Sequence, residues 1–326
     1  MNNRNPICVT IAFTFIIYLN NMSNRRVFLQ QTSIAALAAL LSPSLISSAL
    51  AGNTNTSALN KVGLQLFTLR DLLNKDVKSV ISKVASIGYS QVETYYGYPG
   101  AYTAKGFWGL DAKEFKSLLQ DSNLLSPSGH YNTTAFLEKD GKDDVLKSQI
   151  ETAAIVGQKY YVIPALPTAI RKEGTLDDYK AMAAKFNTAA LLCKSHNLKL
   201  AYHNHNFEFK DQGNGATGYE ILLNETDPMV KFELDIFWAV NAGLDPLEMF
   251  GKHPGRFTMW HVKDMDKADK NVYTEVGTGS IDFKTILQSA KSTDPEYIFV
   301  EQDVIKIDPY ASITPSINYV KSILSK

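Results

Sequence analysis

KLAYHNHNFEF, residues 199 to 209, changes character half-way along. Leu200, Ala201 and Tyr202 form a short apolar run, and His203, Asn204, His205, Asn206 and Glu208 follow at once. In extended chain, side chains alternate between faces, so Ala201, His203 and His205 share one face and Leu200, Tyr202 and Asn204 the other. A buried strand that delivers two imidazoles at its carboxyl end suits metal binding or proton transfer, because imidazole does both near neutral pH. A single histidine of this kind more commonly just hydrogen-bonds in a loop, so the remaining strands decide the matter.

Outward from this stretch, short apolar runs recur at Val62 to Phe67, Ser90 to Tyr95, Leu124 to Gly129, Tyr160 to Pro164, Lys199 to His203, Val230 to Asp235, Phe257 to Val262 and Tyr297 to Glu301. Amphipathic segments separate them, among them Lys75 to Ser86, Asp111 to Gln120, Asp143 to Val156, Leu176 to His196 and Pro315 to Leu324. Strand-then-helix units repeated in this way predict an α/β chain folded as a single (β/α)8 TIM barrel, a parallel eight-stranded barrel surrounded by helices. An open doubly wound sheet is the rival layout, but no Gly-rich dinucleotide turn follows the first strand.

In a parallel barrel every strand ends on the same face, where the chemistry sits. The strand ends carry Glu93, His130, His203 with His205, Glu233 with Asp235, His261 with Lys263 and Asp264, and Glu301. Parity agrees: Met259, His261 and Lys263 share one side, as do Phe299 with Glu301 and Glu233 with Asp235. Buried charges must be paired or hold a metal, so carboxylates facing imidazoles predict one divalent ion, Mn, Co, Mg or Zn. A hydrogen-bonded polar plug is the alternative.

The set YHNHNFEF (202 to 209), FELDIFWAVNAG (232 to 243), WHVKDMD (260 to 266), EVGTGSIDF (275 to 283) and FVEQD (299 to 303) resembles the xylose isomerase-like barrel superfamily of sugar isomerases, epimerases and inosose dehydratases. The resemblance implies metal ligands at His203, Asp235, His261 and Glu301. It also marks a departure, since D-tagatose 3-epimerase and its relatives have a glutamate at the position of His203 and use it as one of two bases. The histidine cluster is closer to that of the inosose dehydratases. The implied chemistry is proton abstraction beside a carbonyl, giving a sugar isomerase or epimerase, with a lyase or dehydratase and a non-catalytic sugar-binding barrel as alternatives. Catalytic roles are expected for Glu301, Lys263, His205 and Glu93, and substrate contacts for His130, Trp238, Glu208 and Glu233. Lys263 is equally readable as a solvated partner of Asp264. Gly277-Thr278-Gly279 resembles a phosphate loop weakly and a turn before a helix near Asp282 better.

The 326 residues carry 33 basic and 33 acidic side chains, a balance that gives no electrostatic reason to expect nucleic acid or an anionic membrane surface as partner. A small sugar or glycoside is the expected partner. Residues 1 to 51 read as an export signal: Arg25-Arg26 precedes Phe28-Leu29, an uncharged run spans Ile34 to Leu50, and Ala49-Leu50-Ala51 offers a cleavage site. The arginine pair resembles a twin-arginine signal, which implies a periplasmic or secreted protein with no stable membrane span after cleavage; Met22 is a possible true start. An uncleaved signal anchor is the alternative. Residues 52 to 60 form a Ser/Thr/Asn linker, and 61 to 326 the catalytic domain. Of two cysteines, Cys8 falls in the leader and Cys193 in a helical run, so no disulfide is expected.

Overall fold

In the computed structural model, residues 62–98 and 106–326 are described; the expected export signal and linker lie outside them. Each apolar run becomes a strand, because β-branched and aromatic residues pack on a pleated surface buried on both faces. The strands are β1 (Val62–Gln65), β2 (Gln91–Tyr96), β3 (Leu125–Tyr131), β4 (Tyr160–Ile163), β5 (Lys199–His203), β6 (Lys231–Asp235) and β7 (Phe257–Val262). A short antiparallel hairpin, β8 (Asp264–Met265) with β9 (Tyr273–Thr274), precedes the last barrel strand, β10 (Tyr297–Val300). The barrel closes in the order β1-β10-β7-β6-β5-β4-β3-β2 with every barrel pairing parallel. The expected (β/α)8 barrel is therefore the observed one.

Alternation along the strands divides the core. Residues facing outward, such as Leu64, Val92, Leu200, Trp260 and Val300, pack with the helices in one large apolar cluster. Those facing inward at the lower level form a second cluster of Tyr160, Val162, Ala201, Met259, Tyr297 and Phe299. The next inward level, one pleat nearer the strand ends, is polar: Glu93, His130, His203, Glu233, His261 and Glu301 are all buried there. This apolar floor supports the site above it.

Helix starts follow the expected capping chemistry. Asp111 and Thr175 form capping boxes with Glu114 and Asp178, and Asp76 caps Val77–Ile87. One boundary differs from expectation. The last helix runs Pro309–Leu324 and contains Pro315, which had marked its start. The effective start signal is Asp308-Pro309, a capping carboxylate followed by proline at the first turn, and Pro315 sits in the interior at the loss of one backbone donor. Among the described residues no helix is long and apolar enough to cross a membrane.

Gly63 faces inward, and a β-carbon there would lie 2.5 Å from the Phe299 ring. Gly63→Ala is therefore expected to cost about 1–3 kcal/mol by overpacking, read as a lower denaturant midpoint. Gly251→Ala, in open space within the helix Pro246–Lys252, should leave the midpoint unchanged or raise it.

Candidate active site

At the carboxyl ends of the strands, the ionisable residues gather as three linked groups. The first is a floor of two fully buried carboxylates. Glu93 is oriented by Gln65 Nε2, which donates to Oε2 (2.7 Å), and by Ser128 Oγ, which donates to Oε1 (2.6 Å). Glu233 Oε2 lies 2.7 Å from His130 Nε2 and 3.1 Å from both His203 Nδ1 and His261 Nε2. His261 Nε2 also lies 2.6 Å from Glu93 Oε2. Burial alone would raise the Glu93 pKa; the imidazoles of His130 and His261 outweigh it and hold the carboxyl well below its ordinary value. Conversely, burial disfavours the charged His130 ring, and Glu93 and Glu233 overcome this and lift its pKa to about 9.

Above the floor, His203, Asp235, His261 and Glu301 bring one ligand atom each within 4.8 Å of one another, all buried. His203 Nε2 is 3.6 Å from Asp235 Oδ2, and His261 Nδ1 is 2.7 Å from Glu301 Oε2. Burial, reinforced by His261, His130, His205 and Lys263, depresses the His203 pKa and keeps the ring neutral, which is its ligand form. Asp235 divides its oxygens: Oδ1 accepts from Trp238 N and caps the helix Ile236–Asn241, while Oδ2 is buried with no hydrogen-bond partner. Lys263 Nζ approaches that oxygen to 2.9 Å without hydrogen-bond alignment. Two imidazole nitrogens, two carboxylate oxygens and an unpartnered buried oxygen among them fit a divalent ion.

The third group borders an open cavity of about 170 Å³. Its lining has two halves, set by strand order. From β1, β2 and β4 come Phe67, Tyr95, Tyr98, Pro164 and Ala165, with His130 of β3 among them; from β5, β7 and β10 come His203, His205, Lys263, Glu301 and Asp303. Lys263 reaches Glu301 Oε2 at 2.8 Å and Asp303 Oδ2 at 3.0 Å. Burial opposes its charge, but Asp235, Asp303 and Glu301 prevail and raise its pKa well above the usual lysine value. Burial pushes Glu301 up, and Lys263 and His261 reverse this and hold it ionised. His205 stays neutral, its pKa depressed to about 3 by burial and then by Lys263, and its Nδ1 is buried without a partner.

Several expected contacts sit elsewhere. β5 ends at His203, so His205 reaches the cavity from a loop, with its ring 5.3 Å from that of His203. Glu208 does not line the cavity; it accepts from Tyr202 Oη at 2.5 Å and from His205 N at 3.0 Å on each oxygen, clamping that loop from beneath. Glu93 and Glu233 form the floor instead of touching the cavity, and the Trp238 indole packs beside His205 at 5.9 Å, outside the lining. Lys263 is buried among carboxylates, not paired with Asp264. Asp264 instead accepts from the amides of Met265, Gly277, Gly279 and Ile281, so the Gly277-Thr278-Gly279 amides serve a turn and not a phosphate. The apolar half of the cavity, Asp303 and Asn204 were missed. Tyr95 and Asp303 continue the parities of Glu93 and Glu301, which would have found them. Asn204 holds the Asp235 backbone from both sides, accepting from its N at 3.0 Å and donating to its O at 3.2 Å.

Residues 81–322 match the family described as xylose isomerase-like TIM barrel. The chain belongs to that family. An inosose dehydratase of Clostridium tetani is 24% identical over 276 residues, 74% of this chain and 87% of the relative. A solved sugar phosphate isomerase/epimerase from Parabacteroides distasonis is 27% identical with a TM-score of 0.68, covering 81% of this chain and 99% of that one. The fold is shared more distantly with a probable 3-DHS dehydratase of Bacillus anthracis, 14% identical with a TM-score of 0.60 over 80% of this chain and 98% of that one. The similar proteins thus carry names both of isomerase/epimerase and of dehydratase.

Burial pushes Glu208 up to about 7 against the lowering by Tyr202 and the His205 amide. Its folded pKa is raised, so the stability linked to the protonated carboxyl is complete below about 4.5 and lost as pH rises through about 7. The wild-type thermal midpoint should therefore fall more between pH 5 and pH 8 than that of Glu208→Gln; parallel profiles would refute this.

Proposed function

We propose that this protein is a metal-dependent carbohydrate lyase or dehydratase that removes a proton beside a carbonyl and expels the neighbouring oxygen substituent. The observation that carries this reading is the one-sided cavity. Among the described residues, Glu301 and Lys263 stand together on one half, and the facing half is built of Phe67, Tyr95, Tyr98, Pro164 and Ala165 with His130, whose Nε2 is tied down by Glu93 and Glu233. Epimerisation by two bases needs a proton acceptor on each face of the substrate; Glu208 and Glu233, expected as substrate contacts, are both turned away from the cavity and supply no second base. Elimination needs only an acid and a base on one side.

In this reading the aromatic half packs against the C–H face of the sugar. His203, Asp235, His261 and Glu301 would hold a divalent ion, which would supply Lewis-acid polarisation of the carbonyl. The Glu301 carboxylate takes the carbon-bound proton, the C–H electron pair forms the new double bond, and the C–O bond at the β position breaks. Lys263 Nζ gives a proton to the departing oxygen. Because Lys263 Nζ and Glu301 Oε2 are 2.8 Å apart, the proton held on the carboxyl returns to the amine and resets the pair. The unpartnered His205 Nδ1 accepts a substrate hydroxyl. Exported, as Arg25-Arg26 and the apolar run after it suggest, the enzyme meets free sugars and glycosides, and 3-keto-glycosides suit β-elimination.

An aldose–ketose isomerase is the second reading, supported by the Parabacteroides distasonis structure, because a proton moved between adjacent carbons on one face also needs only one side.

Incubation of the metal-loaded protein with 3-keto-glycosides, inososes and free ketohexoses in deuterated water, followed by NMR, separates these. The expected outcome is release of the aglycone or of water with an unsaturated ketone. Deuterium entering an epimerised sugar without elimination would overturn the proposal. Glu301→Gln and Lys263→Met should each lower kcat by about 10²–10⁴-fold. Alanine at His203, Asp235 or His261 should release the metal, whereas alanine at His196 or His253 should not; metal retained at full stoichiometry in all three site variants would remove the ligand assignment.

A further inference from the structure

The geometry points to the buried pair Glu93 and Glu233 as the device that selects which nitrogen of each imidazole faces the metal. This rests on the ligand set proposed above, and goes further by assigning a function to two carboxylates that touch neither the cavity nor the proposed ion.

The two ligand histidines are held in opposite senses. His203 presents Nδ1 to Glu233 Oε2 (3.1 Å) and Nε2 toward Asp235 Oδ2 (3.6 Å). His261 presents Nε2 to Glu93 Oε2 (2.6 Å) and Glu233 Oε2 (3.1 Å), and Nδ1 toward Glu301 Oε2 (2.7 Å). Each ring stands between carboxylates, which can only accept, one set on the floor and one in the ligand set; with an ion on the ligand-set side, the single hydrogen of a neutral ring goes to the nitrogen that faces the floor, and the other nitrogen keeps its lone pair. The floor therefore imposes N–H on Nδ1 of His203 and on Nε2 of His261. The lone pairs fall on Nε2 and Nδ1 respectively, and converge on the Asp235 and Glu301 oxygens.

The floor is itself rigid. Gln65 and Ser128 fix both oxygens of Glu93 from β1 and β3. His130 Nε2 bridges Glu93 Oε2 (3.1 Å) and Glu233 Oε2 (2.7 Å), tying the two carboxylates together. Both glutamates are fully buried, so no water competes for their oxygens. A second ion seated among His130, His203, Glu233 and His261, which also lie within 4.8 Å of one another, would need the same two rings stripped of their remaining hydrogens. Neutral imidazole resists that, and the carboxylate floor is the better reading of this second cluster.

The test uses Zn²⁺ alone as probe, in the full mature chain. Chelator competition should show Zn²⁺ affinity reduced about 10–100-fold in Glu233→Gln and in Glu93→Gln, with Asp235→Asn as the ligand control. Affinity within threefold of wild type in both glutamine variants, alongside a large loss in Asp235→Asn, would overturn the inference and leave the ligand set standing. Unchanged affinity in Asp235→Asn would instead remove the ligand set. Since either glutamine variant can fail to fold, ¹⁵N NMR of the histidines in the Zn²⁺-loaded wild type reads the tautomers directly. Hydrogen on Nδ1 of His203 and Nε2 of His261 is expected; the opposite pattern at either ring refutes the assignment.

Discussion

The structure depends on one electrostatic constraint: eight ionisable side chains, Glu93, His130, His203, Glu233, Asp235, His261, Lys263 and Glu301, are withdrawn from water at one end of the barrel. Each alone would cost several kcal/mol to bury, and none is tolerable without its neighbours. The solution is mutual. Imidazoles sit between carboxylates, and Lys263 is surrounded by Asp235, Glu301 and Asp303. Such a network of mutually paired charges holds each member in place, because moving one leaves another buried and unpaired.

The rest of the barrel serves that arrangement. Below it, Phe299, Met259, Tyr160 and their partners fill the interior so that the polar level cannot settle inward, and Gly63 leaves the room that the Phe299 ring occupies. Around it, backbone clamps fix the strand ends and the loops that follow them. Asn204 grips the Asp235 backbone, Glu208 holds the His205 amide, and Asp264 gathers the turn after β9. These residues are polar and buried yet remote from chemistry, and their hydrogen bonds convert a flexible strand end into a fixed one.

The cavity's asymmetry follows from strand order. Strands β1, β2 and β4 bring aromatic and small apolar residues to the cavity, with His130 of β3 among them, and β5, β7 and β10 bring imidazoles and charges. The proposed one-sided chemistry rests on this asymmetry.

Much of this was legible in the chain. The eight apolar runs, their spacing and the capping residues specified the barrel, because burial on both faces and the strand–helix alternation are local properties of sequence. Strand-end parity likewise placed His203, Asp235, His261, Lys263 and Glu301 on the interior side, since side-chain direction alternates with every residue. Parity says which way a side chain points, but not what lies opposite. Only closure of the barrel brought β2 and β6 close enough for His130 to join Glu93 to Glu233, sent Glu208 beneath its loop instead of into the cavity, and set aromatic residues against charged ones. Those outcomes depend on shear and loop path, which arise from many long-range contacts at once; the identity of the site's residues was written locally, and their division of labour was decided by the fold.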